Sequence, residues 1–314
     1  MRAGERATSP RARRRAQGAA ESLPRRPAPP VAVADRKDAA GVLYVVATPI
    51  GNLEDVTLRA LRVLREVDVV AAEDTRRTRV LLRAHGIEAT VVSYYDAIER
   101  RRAPELVARM QAGARVALVS DAGTPGIADP GYHLVRGAVA AGVPVVPVPG
   151  ASAVTAVVST AGLPVDRFAF EGFLPARAVA RAARLRALAA EPRALVFLEA
   201  GRRLPAFLDD ALDALGDRDA VIARELTKLH EEMLRGRLSE LRAAVAGGVR
   251  GEVTVLVAGA AERRAAVQEQ TLDDAIRQAL DAGRSVRELS EDVARRLGCS
   301  RREVYRRALA LRDG

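Results

Sequence analysis

Short apolar runs rich in valine and alanine alternate with helical patterns along the middle of the chain. Three of these runs, Leu43–Ala47, Val116–Val119 and Val143–Val148, contain almost no polar side chains. Strands that are buried on both faces of a parallel sheet have this composition. A loop of glycine, proline and small polar residues follows each run, and a helical pattern follows each loop. The alternation predicts an α/β fold with a parallel sheet.

The alternation restarts after Gly162–Val165, which interrupts a helical pattern of small apolar residues. Further strands and helices are predicted in the second half of the chain at residues 168–173, 195–199, 204–215, 220–224, 239–246 and 252–258. We therefore predict an N-terminal α/β domain over residues 41–163 and a C-terminal α/β domain over residues 164–261.

The two ends of the chain have different patterns. Residues 1–40 hold ten basic and four acidic residues without hydrophobic periodicity, which predicts a disordered basic arm. This arm either attracts RNA through its charge or is a dispensable extension. Residues 270–314 contain three short helical patterns, and Ser285 and Ser300 each begin a Ser-x-x-Glu capping box. Their spacing resembles a helix-turn-helix, so we expect a nucleic-acid-binding module here rather than a mere packing appendage.

Composition and charge narrow the classes of function. The formal net charge of +10 favours a polyanionic partner, although a codon preference for arginine would give the same excess. One cysteine, Cys299, excludes a disulfide scaffold, and three scattered histidines do not suggest a zinc site, so we expect no metal. No apolar run reaches the length of a membrane span, and we expect a cytoplasmic protein that does not act on a membrane.

The loops after the three buried strands are the best candidates for a ligand site, because the carboxyl ends of parallel strands meet at one edge of a sheet. Neither a G-x-x-x-x-G-K-S/T loop nor a G-x-G-x-x-G loop occurs, so a ligand would be held by backbone and small side chains. The candidate binding residues in these loops are Pro49, Gly51, Asp121, Gly123, Thr124, Pro125, Ile127, Ser152 and Ala153.

Six ordered segments carry a resemblance to a known family. They are Leu43–Leu53, Ala72–Arg76, Ser120–Gly131, Val148–Ala153, Glu171–Pro175 and Ala223–Lys228. The chain resembles the tetrapyrrole-methylase-like (class III) methyltransferases, and within them the RsmI-type 16S rRNA 2′-O-ribose cytidine methyltransferases. The resemblance extends from about Gly41 to Ala260, and the C-terminal helices are similar to that subfamily's helix-turn-helix extension.

The resemblance implies S-adenosylmethionine as the methyl donor, bound in a cleft between the two α/β domains of each subunit of a homodimer. It implies a cytidine ribose in the decoding centre of the small-subunit rRNA as the acceptor, and the small ribosomal subunit as the partner. Two rival hypotheses remain: methylation of a corrin or porphyrin precursor, and a noncatalytic nucleic-acid-binding regulator built on the C-terminal helices. Two segments, Tyr94–Glu99 and Ala200–Arg203, depart from the subfamily's usual pattern.

Charged residues at the ends of predicted strands are the candidates for chemistry. A ribose hydroxyl is a poor nucleophile, so a group that accepts its proton should assist methyl transfer. The candidates are Asp74, Glu225 and Lys228, with Asp74 favoured because a carboxylate accepts a proton without first being neutralised. As alternatives, Asp74 would cap a helix and Glu225 would form a structural ion pair. The candidates for contact with RNA phosphates are Arg76, Arg177, Arg181 and Arg224.

Overall fold

The computed structural model describes residues 41–249, 251–260, 272–297 and 299–313. The predicted arm, residues 1–40, lies outside the described residues. Within them the chain folds into two five-stranded sheets with helices, followed by three further helices. None of the described helices is both long enough and apolar enough to cross a membrane.

The first sheet is parallel throughout and has the strand order β3-β2-β4-β1-β5. Its strands are β1 (Val42–Val46), β2 (Val69–Ala72), β3 (Val91–Ser93), β4 (Arg115–Val119) and β5 (Val145–Val148). Its helices are α1 (Leu58–Glu66), α2 (Thr75–Ala84), α3 (Asp96–Gln111), α4 (Tyr132–Ala140) and α5 (Ala153–Thr160), with a 3₁₀ turn at Leu53–Asp55. The predicted parallel sheet is confirmed.

Helices cover the first sheet on both faces, which explains why its strands are apolar throughout. Leu106 of α3 and Leu134 of α4 pack with Leu118 of β4 on one face. Leu64 of α1 packs with Val70 of β2 on the other face. Tyr94, in one of the segments that departs from the subfamily pattern, is fully buried, and its hydroxyl accepts a hydrogen bond from the Leu134 N–H at 3.1 Å.

The second sheet is mixed and has the order β6-β7-β10-β8-β9, in which only β6 and β7 are parallel. Its strands are β6 (Phe168–Phe173), β7 (Ala194–Ala200), β8 (Asp219–Arg224), β9 (Glu232–Arg237) and β10 (Glu252–Val257). Its helices are α6 (Ala178–Ala187), α7 (Leu204–Leu215) and α8 (Leu238–Ala244), with a 3₁₀ turn at Gly201–Arg203. Strand β9 was not expected from the sequence: it is an edge strand with charged residues at three of its six positions.

Helix α5 connects the two sheets. Its residue Val157 and the following Ala161 pack against Val196, Val221 and Leu256 on one face of the second sheet. The other face packs against α7, where Phe207 contacts Phe197 of β7. The division of the chain into domains 41–163 and 164–261 remains a prediction, but its boundary follows a helix that belongs to the core of the second sheet.

The C-terminal helices have a small core of their own. They are α9, which covers residues 272–281, α10 (Val286–Leu297) and α11 (Arg301–Asp313). Ile276, Leu289 and Val304 are fully buried between them. The capping box at Ser285 is present: the Ser285 N–H donates to Glu288 Oε2 at 3.3 Å, and the Glu288 N–H donates to Ser285 Oγ at 3.3 Å. Arg301, Arg302 and Arg306 are exposed on α11 and are called the α11 arginines below.

Candidate active site

The loops after β1 and β4 are joined by hydrogen bonds between their backbones. The Thr48 N–H donates to the Gly123 carbonyl at 2.8 Å, and the Gly123 N–H donates to the Thr48 carbonyl at 3.0 Å. Gly123 has a φ of 76°, in the region that favours glycine. The two predicted ligand loops therefore form one surface at the carboxyl edge of the first sheet.

A loop of the second sheet reaches this surface. It connects β8 to β9, and two of its non-glycine residues, Glu225 and Thr227, have left-handed φ angles of 50° and 65°. A Cβ atom on Gly51 would lie 2.7 Å from the carbonyl oxygen of Leu226 and 2.5 Å from Cγ of Lys228. The absence of a side chain on Gly51 therefore permits the close approach of the two loops. Strained backbone of this kind often occurs at functional sites.

Two adjacent hollows lie where these loops meet. The first has a volume of about 320 Å³ and is called the central cavity below; the second has a volume of about 370 Å³. A cavity of this size accommodates a cofactor or a nucleoside. The predicted binding residues that line the central cavity are Asp121, Gly123, Thr124, Ile127, Ser152 and Ala153. Pro49 and Gly51 line the second hollow, whereas Pro125 lines neither and is buried.

The central cavity has an excess of acidic side chains. Its carboxylates are those of Glu73, Asp121, Asp129, Glu199, Glu225 and Glu252, and its basic side chains are those of Arg77 and Lys228. Arg77 lies 3.5 Å from Asp121, and Lys228 lies 3.0 Å from Glu225, so each basic group is already paired. The remaining negative charge favours a ligand that carries positive charge and disfavours a phosphate inside the cavity.

The buried Glu199 forms an ion pair with the half-buried Arg203 beside the central cavity. Oε1 of Glu199 lies 3.2 Å from Nε of Arg203 and accepts the Ala200 N–H at 2.8 Å. Arg203 also donates to the Leu174 carbonyl at 3.0 Å. The second segment that departs from the subfamily pattern therefore supplies an arginine that fixes a cavity carboxylate and the loop after β6.

A family model and several relatives match this chain. The family model described as Tetrapyrrole (Corrin/Porphyrin) Methylases matches residues 42–242. The chain belongs to this family. Residues 42–242 hold all the lining residues of the central cavity except Glu252, Val253 and Thr254, and they end before the C-terminal helices.

Two relatives are identical to this chain at about half of the aligned positions. Over 70% of this chain and 79% of its own length, a Pseudomonas aeruginosa protein named Ribosomal RNA small subunit methyltransferase I is 54% identical. A Micromonospora olivasterospora protein of the same name is 47% identical over 84% of this chain and 85% of its own. Among solved structures, the uroporphyrin-III C-methyl transferase of Thermus thermophilus complexed with S-adenyl homocysteine is 25% identical, with a TM-score of 0.51, over 69% of this chain and 97% of its own.

Asp74, the proton acceptor that the sequence favours, does not line the central cavity. It caps the N-terminus of α2, where Oδ1 accepts the Arg76 N–H at 2.8 Å. Its carboxylate also pairs with the Arg76 guanidinium at 2.8 Å. The hydrogen bonds from the Arg76 side chain and backbone lower the pKa of Asp74 to about 2, so this carboxylate is a weak base at neutral pH. Of the three catalytic candidates, Glu225 and Lys228 line the cavity.

Two carboxylates in the central cavity have raised pKa values. Burial is the largest cause of the rise of the pKa of Asp129 to about 7, and the negative charges of Glu73 and Asp121 add to it. Burial also raises the pKa of Glu73, although the Asp121 N–H donates to its Oε2 at 3.2 Å. Neither residue is among the candidate site residues named from the sequence. Their positions beside the favoured Asp74 and at the far end of the glycine-rich loop were the available signal.

The four arginines predicted to contact RNA lie in different environments. Arg76 and Arg177 are exposed, and Arg224 is half-buried in an ion pair with Glu232. Arg181 is buried, and its Nε donates to Asp210 Oδ2 at 2.6 Å. Arg181 thus holds α6 against α7 and does not present its guanidinium to a phosphate.

Proposed function

We propose that this protein transfers the methyl group of S-adenosylmethionine to the ribose 2′-hydroxyl of a cytidine in the decoding centre of 16S rRNA. The observation that carries the proposal is the 54% identity with the Pseudomonas aeruginosa rRNA methyltransferase. The choice of the cytidine 2′-oxygen rests on the resemblance of the six segments to the RsmI-type subfamily. The proposal includes a homodimer that acts in the cytoplasm on the small ribosomal subunit.

The loops at the carboxyl edge of the first sheet suit the methyl donor. Gly123 lines the central cavity without a side chain, and Ser152 and Ala153 leave room for a ligand beside it. Ile127 supplies an apolar surface, and the excess of carboxylates favours a cationic group. When bound, S-adenosylmethionine supplies an electrophilic methyl group on a positively charged sulfur. The structure of the relative that is complexed with S-adenyl homocysteine supports this assignment.

The distribution of charge favours RNA over a tetrapyrrole as the acceptor. A nucleoside without its phosphates is uncharged, so it can enter an acidic cavity while its phosphates stay at the rim. Exposed Arg76 and Arg177 and the α11 arginines would contact those phosphates. A corrin or porphyrin precursor carries several carboxylates on its ring and would be repelled by the carboxylates of the central cavity. A noncatalytic regulator would not need such a cavity, so the cavity argues against that hypothesis.

The test is transfer of a tritiated methyl group to small ribosomal subunits, to free 16S rRNA and to uroporphyrinogen III. We expect label in 16S rRNA, in a dinucleotide that resists alkaline hydrolysis because its ribose oxygen is methylated. Gly123→Val is the matched control, since valine is disfavoured at its φ of 76° and the variant should lose donor binding while remaining folded. Label in the tetrapyrrole alone, or in no acceptor, would reject the proposal.

A further inference from the structure

The carboxylates of the central cavity differ in what they contact. Asp121 pairs with Arg77, Glu225 with Lys228, and Glu199 with Arg203. Glu73 accepts the N–H of Asp121, and Glu252 is exposed at the start of β10. Asp129 is different: it lines the central cavity, and in the part of the chain that the structure describes no basic side chain lies within ion-pair distance of it.

The backbone holds Asp129 in this position. The preceding residue, Ala128, has a left-handed φ of 63°, which is uncommon for a residue other than glycine. Pro130 follows Asp129 and is buried. The charge of Glu252 acts on Asp129 from the second sheet, and the charges of Glu73 and Asp121 act on it from the first. Asp129 lines the central cavity together with residues of both sheets, and it is half-buried and follows a residue with strained backbone.

We infer that Asp129 is the catalytic residue that accepts the proton of the attacking ribose hydroxyl. The inference rests on the proposed function and adds the base to it. The O–H bond of the 2′-hydroxyl breaks and its proton moves to a carboxylate oxygen of Asp129. The electron pair of that bond remains on the oxygen, which forms the new bond to the methyl carbon, and the electron pair of the broken carbon–sulfur bond stays on sulfur.

The surroundings of Asp129 suit this role better than those of Asp74. A general base is most effective when its pKa is near the working pH, and the pKa of Asp129 is about 7 whereas that of Asp74 is about 2. Burial raises the pKa of Asp129 most, the negative charges of Glu73, Asp121 and Glu252 add to the rise, and the nearby hydroxyl of Ser120 lowers this pKa. The cavity's basic side chains, Arg77 and Lys228, are paired with other carboxylates.

The first experiment measures single-turnover methyl transfer to small subunits as a function of pH. For the wild type we expect a rate that rises with pH with a midpoint near 7. Asp129→Asn should lower the rate by about 10²–10⁴-fold and abolish this rise, with donor affinity preserved in calorimetry. Asp74→Asn should cost at most a few-fold, and Asp213→Asn, an exposed control on α7, should change nothing. A wild-type rate and pH profile for Asp129→Asn would overturn the inference.

The second experiment needs neither donor nor RNA. Carboxyl-carbon NMR of the ¹³C-aspartate-labelled protein should show one resonance, absent in Asp129→Asn, that titrates near pH 7. Ser120→Ala should move its midpoint up, and Glu73→Gln should move it down. A midpoint near pH 4 would refute the inference even if Asp129→Asn fails to fold. If the midpoint is near 7 but the wild type methylates no rRNA, the proposed function fails and Asp129 has no hydroxyl to act on.

Discussion

Replacement of Gly51 by alanine tests the contact between the two sheets at the site. The added Cβ would lie 2.5 Å from Cγ of Lys228, 2.7 Å from the Leu226 carbonyl oxygen and 2.8 Å from Oγ1 of Thr227. The Lys228 side chain can turn away, but the Leu226 carbonyl belongs to a strained backbone and moves only with its loop. Overpacking of this kind costs about 1–3 kcal/mol. At roughly 2–4 °C per kcal/mol, the melting temperature should fall by about 2–12 °C.

The displaced loop should affect catalysis as well as stability. It carries Glu225 and Lys228 along the central cavity, and a shift of about 1 Å in an active site can cost on the order of 10²-fold in rate. Calorimetric unfolding and single-turnover methyl transfer measure the two effects. The control is Gly247→Ala, because a Cβ there meets no atom within 4 Å and the backbone angle is ordinary. If Gly51→Ala matches this control in both measurements, the reasoning about the contact is refuted.

Three further predictions concern the surface and the charges. Arg181→Ala should lower the free energy of unfolding in urea by about 3 kcal/mol, because Asp210 loses its buried partner, and should leave rRNA binding unchanged. Arg177→Ala should weaken rRNA binding and leave the free energy of unfolding unchanged. Replacing the α11 arginines by alanine should lower the slope of log affinity against log salt in filter binding by about 2, since each phosphate contact contributes roughly 0.7–0.9. The raised pKa of Asp129 means that the folded chain keeps a proton that the unfolded chain releases, so stability falls as pH rises from 3.8 to about 7. Denaturant unfolding of Asp129→Asn across this range should lack that part of the fall; parallel curves would contradict it.

The elements of the fold could be predicted where burial dominates. Strands of the first sheet are apolar at nearly every position because helices cover both of its faces, and the bounds of β6 and α7 in the second half of the chain are as predicted. Strand β9 could not be found in this way. It is an edge strand paired with β8, and its sequence, Glu-Met-Leu-Arg-Gly-Arg, does not alternate between polar and apolar residues, so it resembles that of a loop.

The loops of the candidate site could be predicted from the sequence, but the roles of most of its charged residues could not. Loops rich in glycine and proline are recognisable because few other structures tolerate that composition, and eight of the nine predicted binding residues line the two hollows. The roles of charged residues depend on which partner lies within a few ångströms, and that partner is distant in sequence. Arg181, for example, is held away from the surface by its hydrogen bond to Asp210, which lies 29 residues later in the sequence.

The order of strands in the second sheet has a consequence for synthesis on the ribosome. Strand β10 is made last but lies in the middle, between β7 and β8. The sheet therefore cannot close until residue 257 has left the exit tunnel. Until then the apolar surface that covers Val157 of α5 lacks Leu256 of β10, although the parallel sheet before it can already fold. A nascent chain stalled before β10 should expose that helix to chaperones and proteases, and release of a few more residues should protect it.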